Sequence, residues 1–240
     1  MRTWAFVAGA VILDGGAALV AGLVREEWLR RAKRPLLAFA AGVLLGTTFL
    51  DLLPEASVQL SPARALGLAL ATLLAMLVLE WTMGHRPSPG ARRRRVAGVL
   101  LGADALHNAA DGAAIAAAFS VSLRLGVMTA LAVIVHEVPE EVADYVLLRD
   151  AGMPRTRALV VMTGVQLTAA LGAALVLVGA SLWRDMAGVA LAVAAGTFLH
   201  IAEVDLVPNI VGGAAPRRAR TVVLLRLLAG VALVLLEKRW

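Results

Sequence analysis

Cysteine is absent from the 240 residues, tyrosine occurs once, and only 17% of the chain is charged. Without thiols there can be no disulfide framework, no thiolate zinc site and no cysteine nucleophile, so any metal must be held by nitrogen and oxygen. The shortage of charge, against about a quarter of residues in soluble domains, excludes an ordinary water-soluble globule. What fills the chain is apolar: 60% of residues are hydrophobic and mean hydropathy is +0.81. This is the composition of a chain embedded in a bilayer.

Crossing a hydrocarbon core as a helix takes about 20 apolar residues. Eight runs approach or exceed that length, over residues 4–24, 36–56, 63–84, 97–121, 125–148, 157–181, 186–212 and 221–237. The expected fold is therefore all-α and integral to the membrane, one domain of eight transmembrane helices over residues 1–240. Proline, glycine and charge punctuate the breaks, at Arg25 to Pro35, Ser61-Pro62, Arg86 to Arg95, Ser120 to Arg124, Gly152 to Pro154, Trp183 to Asp185 and Pro216 to Arg220.

Sixteen of the 23 Lys and Arg residues lie in the connections after the first, third, fifth and seventh runs. The positive-inside rule makes those connections cytoplasmic, including the loop 85–96, and puts both termini on the other side. The net charge of +6 and the run Arg92 to Arg95 are confined to these rims. They read as topology signals and contacts to anionic lipid, not as a nucleic-acid surface. The first run has its positive cluster after it rather than before it, so it is expected to be a true helix and not a signal peptide.

Residues 40–56 (AAGVLLGTTFLDLLPEA) laid on 194–210 (AAGTFLHIAEVDLVPNI) agree at seven of seventeen positions, ending in a shared D-L-x-P. These are the second and seventh runs, which the charge count sends through the membrane in opposite directions. That pattern predicts an inverted repeat, runs 1–3 mirroring runs 6–8 around a central pair, with a substrate site near the midplane. Glycines at 42, 46, 102, 112, 126, 164, 172, 179 and 196 are read as close-packing surfaces.

The central pair holds the chemistry. The fourth run carries His107-Asn108-Ala109-Ala110-Asp111 and the fifth His136-Glu137-Val138-Pro139-Glu140, each at the middle of its run. His107 and Asp111 stack on one helix face by i,i+4 spacing, as do His136 and Glu140, while Glu137 and Glu140 are i,i+3 neighbours. Pro139 removes a backbone donor and frees a carbonyl in the same stretch. Ionisable groups at that depth cost about 2.5–3.5 kcal/mol each on insertion scales. A single intramembrane histidine is more often a packing residue, but two histidines and three carboxylates at matched depth need a cation as partner.

Together these strings resemble the ZIP (Zrt/Irt-like) divalent-metal transporter family. The fourth run's H-N-x-x-D-G, the fifth's H-E-x-P-x-E continuing to Asp144-Tyr145, the second run's ending F-L-D-L-L-P-E-A and the seventh's G-T-F-L are similar to that family's signatures. The resemblance implies a two-metal centre. His107, Asp111 and Glu140 would form the primary site. Asn108 and Glu137, sharing Asp111 and Glu140, would form the second, with His136 a supporting or transient ligand and Gln166 a further polar position. Zn2+ or a similar divalent ion would be the transported substrate, with no resident cofactor and no enzymatic activity. A homodimer in a bacterial inner (plasma) membrane is implied as well.

The chain departs from the pattern at Glu140, where many relatives have histidine, a change that shifts preference from zinc toward manganese or iron(II). His200 and Glu203 stand where relatives commonly have tyrosine and an aliphatic residue, and the histidine-rich loop of many relatives is reduced to His85. The orientation arranges a route: Asp51 and Glu55 near the outer end of the second run, the two motifs at the midplane, and Asp104, Asp144 and Asp205 toward the cytoplasm. Two other readings compete. His136-Glu137 begins like the H-E-x-x-H of an intramembrane metalloprotease, although Glu140 replaces the second histidine. A metal-sensing membrane protein would bind the ion without moving it.

Overall fold

A computed structural model describes residues 2–23, 26–83, 92–150, 152–202 and 217–237, and within these every regular element is helical. Helix α1 is Arg2–Leu23. Helix α2, Glu26–Thr47, runs through a π-helical turn, Thr48–Leu52, into α3, Leu53–Gln59. Then come α4 (Pro62–Met83), α5 (Arg92–Val121), α6 (Leu123–Asp150), α7 (Arg155–Leu182), α8 (Met186–His200) and α9 (Arg217–Glu237).

Two stretches expected as breaks are helical: Glu26 to Pro35 opens α2, with Pro35 inside it, and Arg92 to Arg95 opens α5. Glutamate, arginine and lysine are good helix formers, so a charge cluster marks where an apolar run ends without ending the helix. The seventh run's extension beyond 202 lies outside the described residues, as do Glu203 and Asp205.

Glycine sets the closest helix contacts. A Cβ on Gly112 of α5 would strike the Ala169 carbonyl of α7, and one on Gly172 of α7 would strike the Ala109 carbonyl of α5. Gly42 of α2 abuts the Leu227 carbonyl of α9, Gly230 of α9 abuts the Phe39 carbonyl of α2, and Gly196 of α8 abuts the Ala69 carbonyl of α4. Gly164 differs, since a Cβ there would meet nothing within 4 Å. Lipid gives helices no hydrophobic reason to associate, so close approach over small residues is how they gain packing energy. The core follows suit and is rich in alanine, with Ala114 and Ala116 to Ala118 all buried in α5.

The apolar bulk faces outward. Leu66, Leu70, Leu74 and Trp81 of α4, and Leu167, Leu171, Leu175 and Leu182 of α7, are all exposed, while the buried set includes His, Asp, Glu, Asn and Gln side chains. This inverts the pattern of a water-soluble protein. Among the described residues, three segments are long and apolar enough to cross a membrane: Pro35–Gln59, Pro62–Leu79 and Arg155–Ala180. The first is 67% buried and the second 11%, so the second run is an inner helix and the third a peripheral one. Helices α5 and α6 are as long, at 30 and 28 residues, but interrupt their apolar sequence with ionisable groups.

The break at Gly152 has a local cause. Gly152 has φ +87°, its N–H donates to the Arg149 carbonyl at 2.9 Å, and the Met153 N–H donates to the Leu148 carbonyl at 3.0 Å. This is a Schellman ending, closed by Met153 packing on the cluster of Leu148, Ala158 and Met162. At the far end of the bundle the Arg64 guanidinium of α4 grips Asp185, at the start of α8, through two 3.2 Å hydrogen bonds.

Candidate metal centre

Helices α5 and α6 pack against each other, with α7 locked onto α5 by the paired glycines. His107 and Asp111 project from one face of α5, one turn apart. His136 and Glu137 project from α6 to meet them. All four are buried, and one ligand atom from each lies within 4.8 Å of the others.

The four donor atoms lie at the spacing of ligands around one ion. His107 Nε2 stands 3.1 Å from Glu137 Oε1 and 3.7 Å from Asp111 Oδ2. His136 Nε2 stands 3.1 Å from Asp111 Oδ2 and 3.8 Å from Glu137 Oε1. The two Nε2 atoms are 3.2 Å apart. These are five of the six edges between the same four atoms. A tetrahedral zinc with bonds of about 2.0–2.1 Å to nitrogen and oxygen has ligand–ligand edges of about 3.4 Å, the middle of the observed range.

Supporting contacts aim these groups. His136 Nδ1 is 3.0 Å from the Ala132 carbonyl, which can only accept, so Nδ1 carries the proton. In the neutral ring Nε2 is then left as a lone pair facing the cluster. The edge of the His136 ring meets Phe198 of α8, centroids 5.8 Å apart. From α7, Gln166 donates at 2.9 Å to Glu137 Oε2, leaving Oε1 as the oxygen turned to the centre. The same amide also donates to Glu141.

Asn108 is buried beside the cluster but turned along α5. Its Nδ2 donates to the Asp104 carbonyl at 3.0 Å and to Asp104 Oδ1 at 2.8 Å. Asp104 and Asp144 are both buried, each on the side of the centre that faces the α6–α7 turn. Glu140 lies on α6, but its side chain is outside the described ones. Asp51 sits in the π-helical turn, where the Leu53 N–H reaches back five residues to the Thr48 carbonyl. Glu55 accepts from Gln59 at 3.0 Å. His200 is buried at the end of α8. Asp51, Glu55 and His200 are not among the four clustered residues.

Two buried carboxylates were given no role by the sequence reading. Glu141 is the last residue of the H-E-x-P-x-E string and shares Gln166 with Glu137. Its signal was the i,i+4 spacing from Glu137. Asp14 of α1 is fully buried. Its signal was its position at the exact middle of the run 4–24, where the two histidine motifs also sit in their own runs.

The chain's residues 81–237 match the family model described as ZIP Zinc transporter. It is 34% identical over 219 residues to the zinc transporter ZIP13 of Pongo abelii, covering 85% of this chain and 66% of that protein. It is 31% identical over 271 residues to human ZIP13, covering 89% of this chain and 73% of that one. It is 37% identical over 150 residues to the mouse zinc transporter SLC39A7, where it covers 59% of this chain and spans 31% of the relative's length. A chain whose buried nitrogen and oxygen donors fall within the matched segment, and whose similarity runs over most of its length, belongs to the ZIP zinc transporter family.

Proposed function

We propose that this chain carries a divalent transition-metal ion, Zn2+ first among them, across a bacterial inner membrane into the cytoplasm, through the centre formed by His107, Asp111, His136 and Glu137. The observation that carries the reading is the set of four buried donor atoms with five measured edges of 3.1–3.8 Å. Lone pairs and carboxylate charge at that spacing repel unless a cation or protons lie among them, and two imidazoles with two carboxylates suit zinc in number and kind. Asn108, Glu140 and Gln166 are proposed as further positions on the metal's path. The metalloprotease alternative falls away with the family, whose members are transporters.

The transporter is proposed to have eight spans with both termini outside the cytoplasm, built as an inverted repeat. Exchanging α1 with α7, α2 with α8, α4 with α9 and α5 with α6 turns the main helix contacts into one another: α2–α9 into α8–α4, α1–α6 into α7–α5, α2–α6 into α8–α5. Gly42 and Gly196, equivalent in the sequence repeat, each abut a carbonyl of the exchanged partner helix. π-helical backbone begins at Thr48 in one half and at Ile201 in the other, one residue apart in the repeat alignment. Two such halves favour alternating access, one helix group moving against the other around the centre. Asp51 and Glu55 would then serve the outer approach, and Asp104, Asp144 and Asp205 the inner one, with His200 and Glu203 beside the path. A homodimer is the proposed assembly.

Radiotracer 65Zn2+ uptake into proteoliposomes tests the reading. Uptake should be saturable in the wild type and abolished in His107→Ala and Asp111→Asn. Binding without flux in the wild type would make this a metal sensor, and undiminished uptake in both variants would remove the centre.

A further inference from the structure

Helix α1 has no part in the transport reading, yet it packs on α5, α6 and α7, the three helices that carry the centre. At its middle stands Asp14, fully buried, with neither carboxylate oxygen hydrogen-bonded among the described residues. Three other buried acids nearby have donors: Asp104 takes the Asn108 amide, and Glu137 and Glu141 share the Gln166 amide. Asp14 shares its lack of a donor on either oxygen with Asp111 of the centre, and a purely structural acid in an apolar helix would require such a donor.

The position of Asp14 is fixed by its neighbour. Gly15 has no side chain, and a Cβ built on it would lie 3.9 Å from Gln166 Cβ. Helix α1 therefore rests on α7 at the level of the amide that holds Glu137. The ionisable groups close enough to act on Asp14 are the two acids and two imidazoles of the centre, with no lysine or arginine among them.

We propose that Asp14 is a further oxygen donor of the metal chamber, a carboxylate on α1 that takes the divalent ion as it enters or leaves the four-donor centre. The proposal rests on the transport reading above. It gives α1 a direct role: the helix brings a mobile-ion ligand to the α5–α6 pair it packs on. It also gives the ion an all-oxygen station beside a mixed nitrogen and oxygen one, so that leaving the histidines does not mean entering apolar surroundings.

The test is Zn2+ titration calorimetry on the full chain in lipid nanodiscs, with thermal unfolding of the metal-free protein, for wild type, Asp14→Asn and His107→Ala. Asp14→Asn keeps the shape and removes the charge. It should raise the Zn2+ dissociation constant roughly 10- to 100-fold and leave the metal-free melting temperature unchanged or higher, because without metal it exchanges one unpartnered buried polar group for another of the same shape. Unchanged zinc affinity in Asp14→Asn, or a lowered metal-free melting temperature with unchanged affinity, overturns the proposal and makes Asp14 a packing residue. If the wild type binds no zinc, or His107→Ala binds it equally well, the transport reading fails first and takes this one with it.

Discussion

At the scale of single residues, the centre depends on which atom of each side chain is turned inward. The Ala132 carbonyl fixes the His136 tautomer and Gln166 fixes the rotation of Glu137, so two of the four donor groups are oriented by groups outside the cluster. The family resemblance made His136 a supporting ligand, whereas its Nε2 lies as near to Asp111 as His107 Nε2 lies to Glu137, 3.1 Å in both pairs. His136→Ala should therefore cost as much zinc affinity as His107→Ala, measured by calorimetry in nanodiscs. A supporting role predicts a much smaller loss. Gln166→Leu leaves Glu137 and Glu141 without their shared donor and should weaken zinc binding by about 10- to 100-fold. Binding as tight as wild type in that variant would show that Glu137 is oriented by something else.

At the scale of elements, the centre is set by how closely α5 and α7 approach. Gly112 and Gly172 lie on either side of the contact and each faces a carbonyl of the other helix, so neither position accepts a side chain without separating the pair. Gly112→Leu should destabilise the protein by about 1–3 kcal/mol or more and lose zinc binding with it. Gly164→Ala, on α7 like Gly172 but facing open space, should be neutral or stabilising, since alanine is the better helix former. Thermal unfolding of the two variants checks this. Equal effects would mean that close approach is not what holds α5 to α7. The Arg64–Asp185 pair tying α4 to α8 is largely solvent-facing, with side chains 55% and 36% exposed. Breaking it with Asp185→Asn should cost no more than about 1 kcal/mol.

At the scale of the whole molecule, the apolar side chains outside and the ionisable ones inside point to a lipid-embedded carrier, and the arginine distribution supports the proposed direction. The absence of cysteine makes that direction directly measurable. A single cysteine at Arg184, between α7 and α8, should react with an impermeant maleimide on intact cells. One at Arg155, at the start of α7, should react only after permeabilisation. The reverse pattern would invert the topology and with it the direction of transport.

The sequence by itself determined the solvent, the class of fold and the chemistry of the site. Apolar run length implies membrane helices, the lack of thiols restricts any metal to nitrogen and oxygen donors, and i,i+4 spacing stacks His107 over Asp111, because these follow from composition and from the fixed period of one helix. It misjudged α2 and α5, since arginine and glutamate mark the membrane edge while continuing the helix. Only the tertiary structure decided how each helix is rotated and what lies opposite. It brought Gln166 to Glu137 and Glu141, and it buried Asp14 on a helix with no recognised motif. Those outcomes depend on glycine-mediated contacts between helices distant in sequence, and helical periodicity carries no information about the angle at which two helices meet.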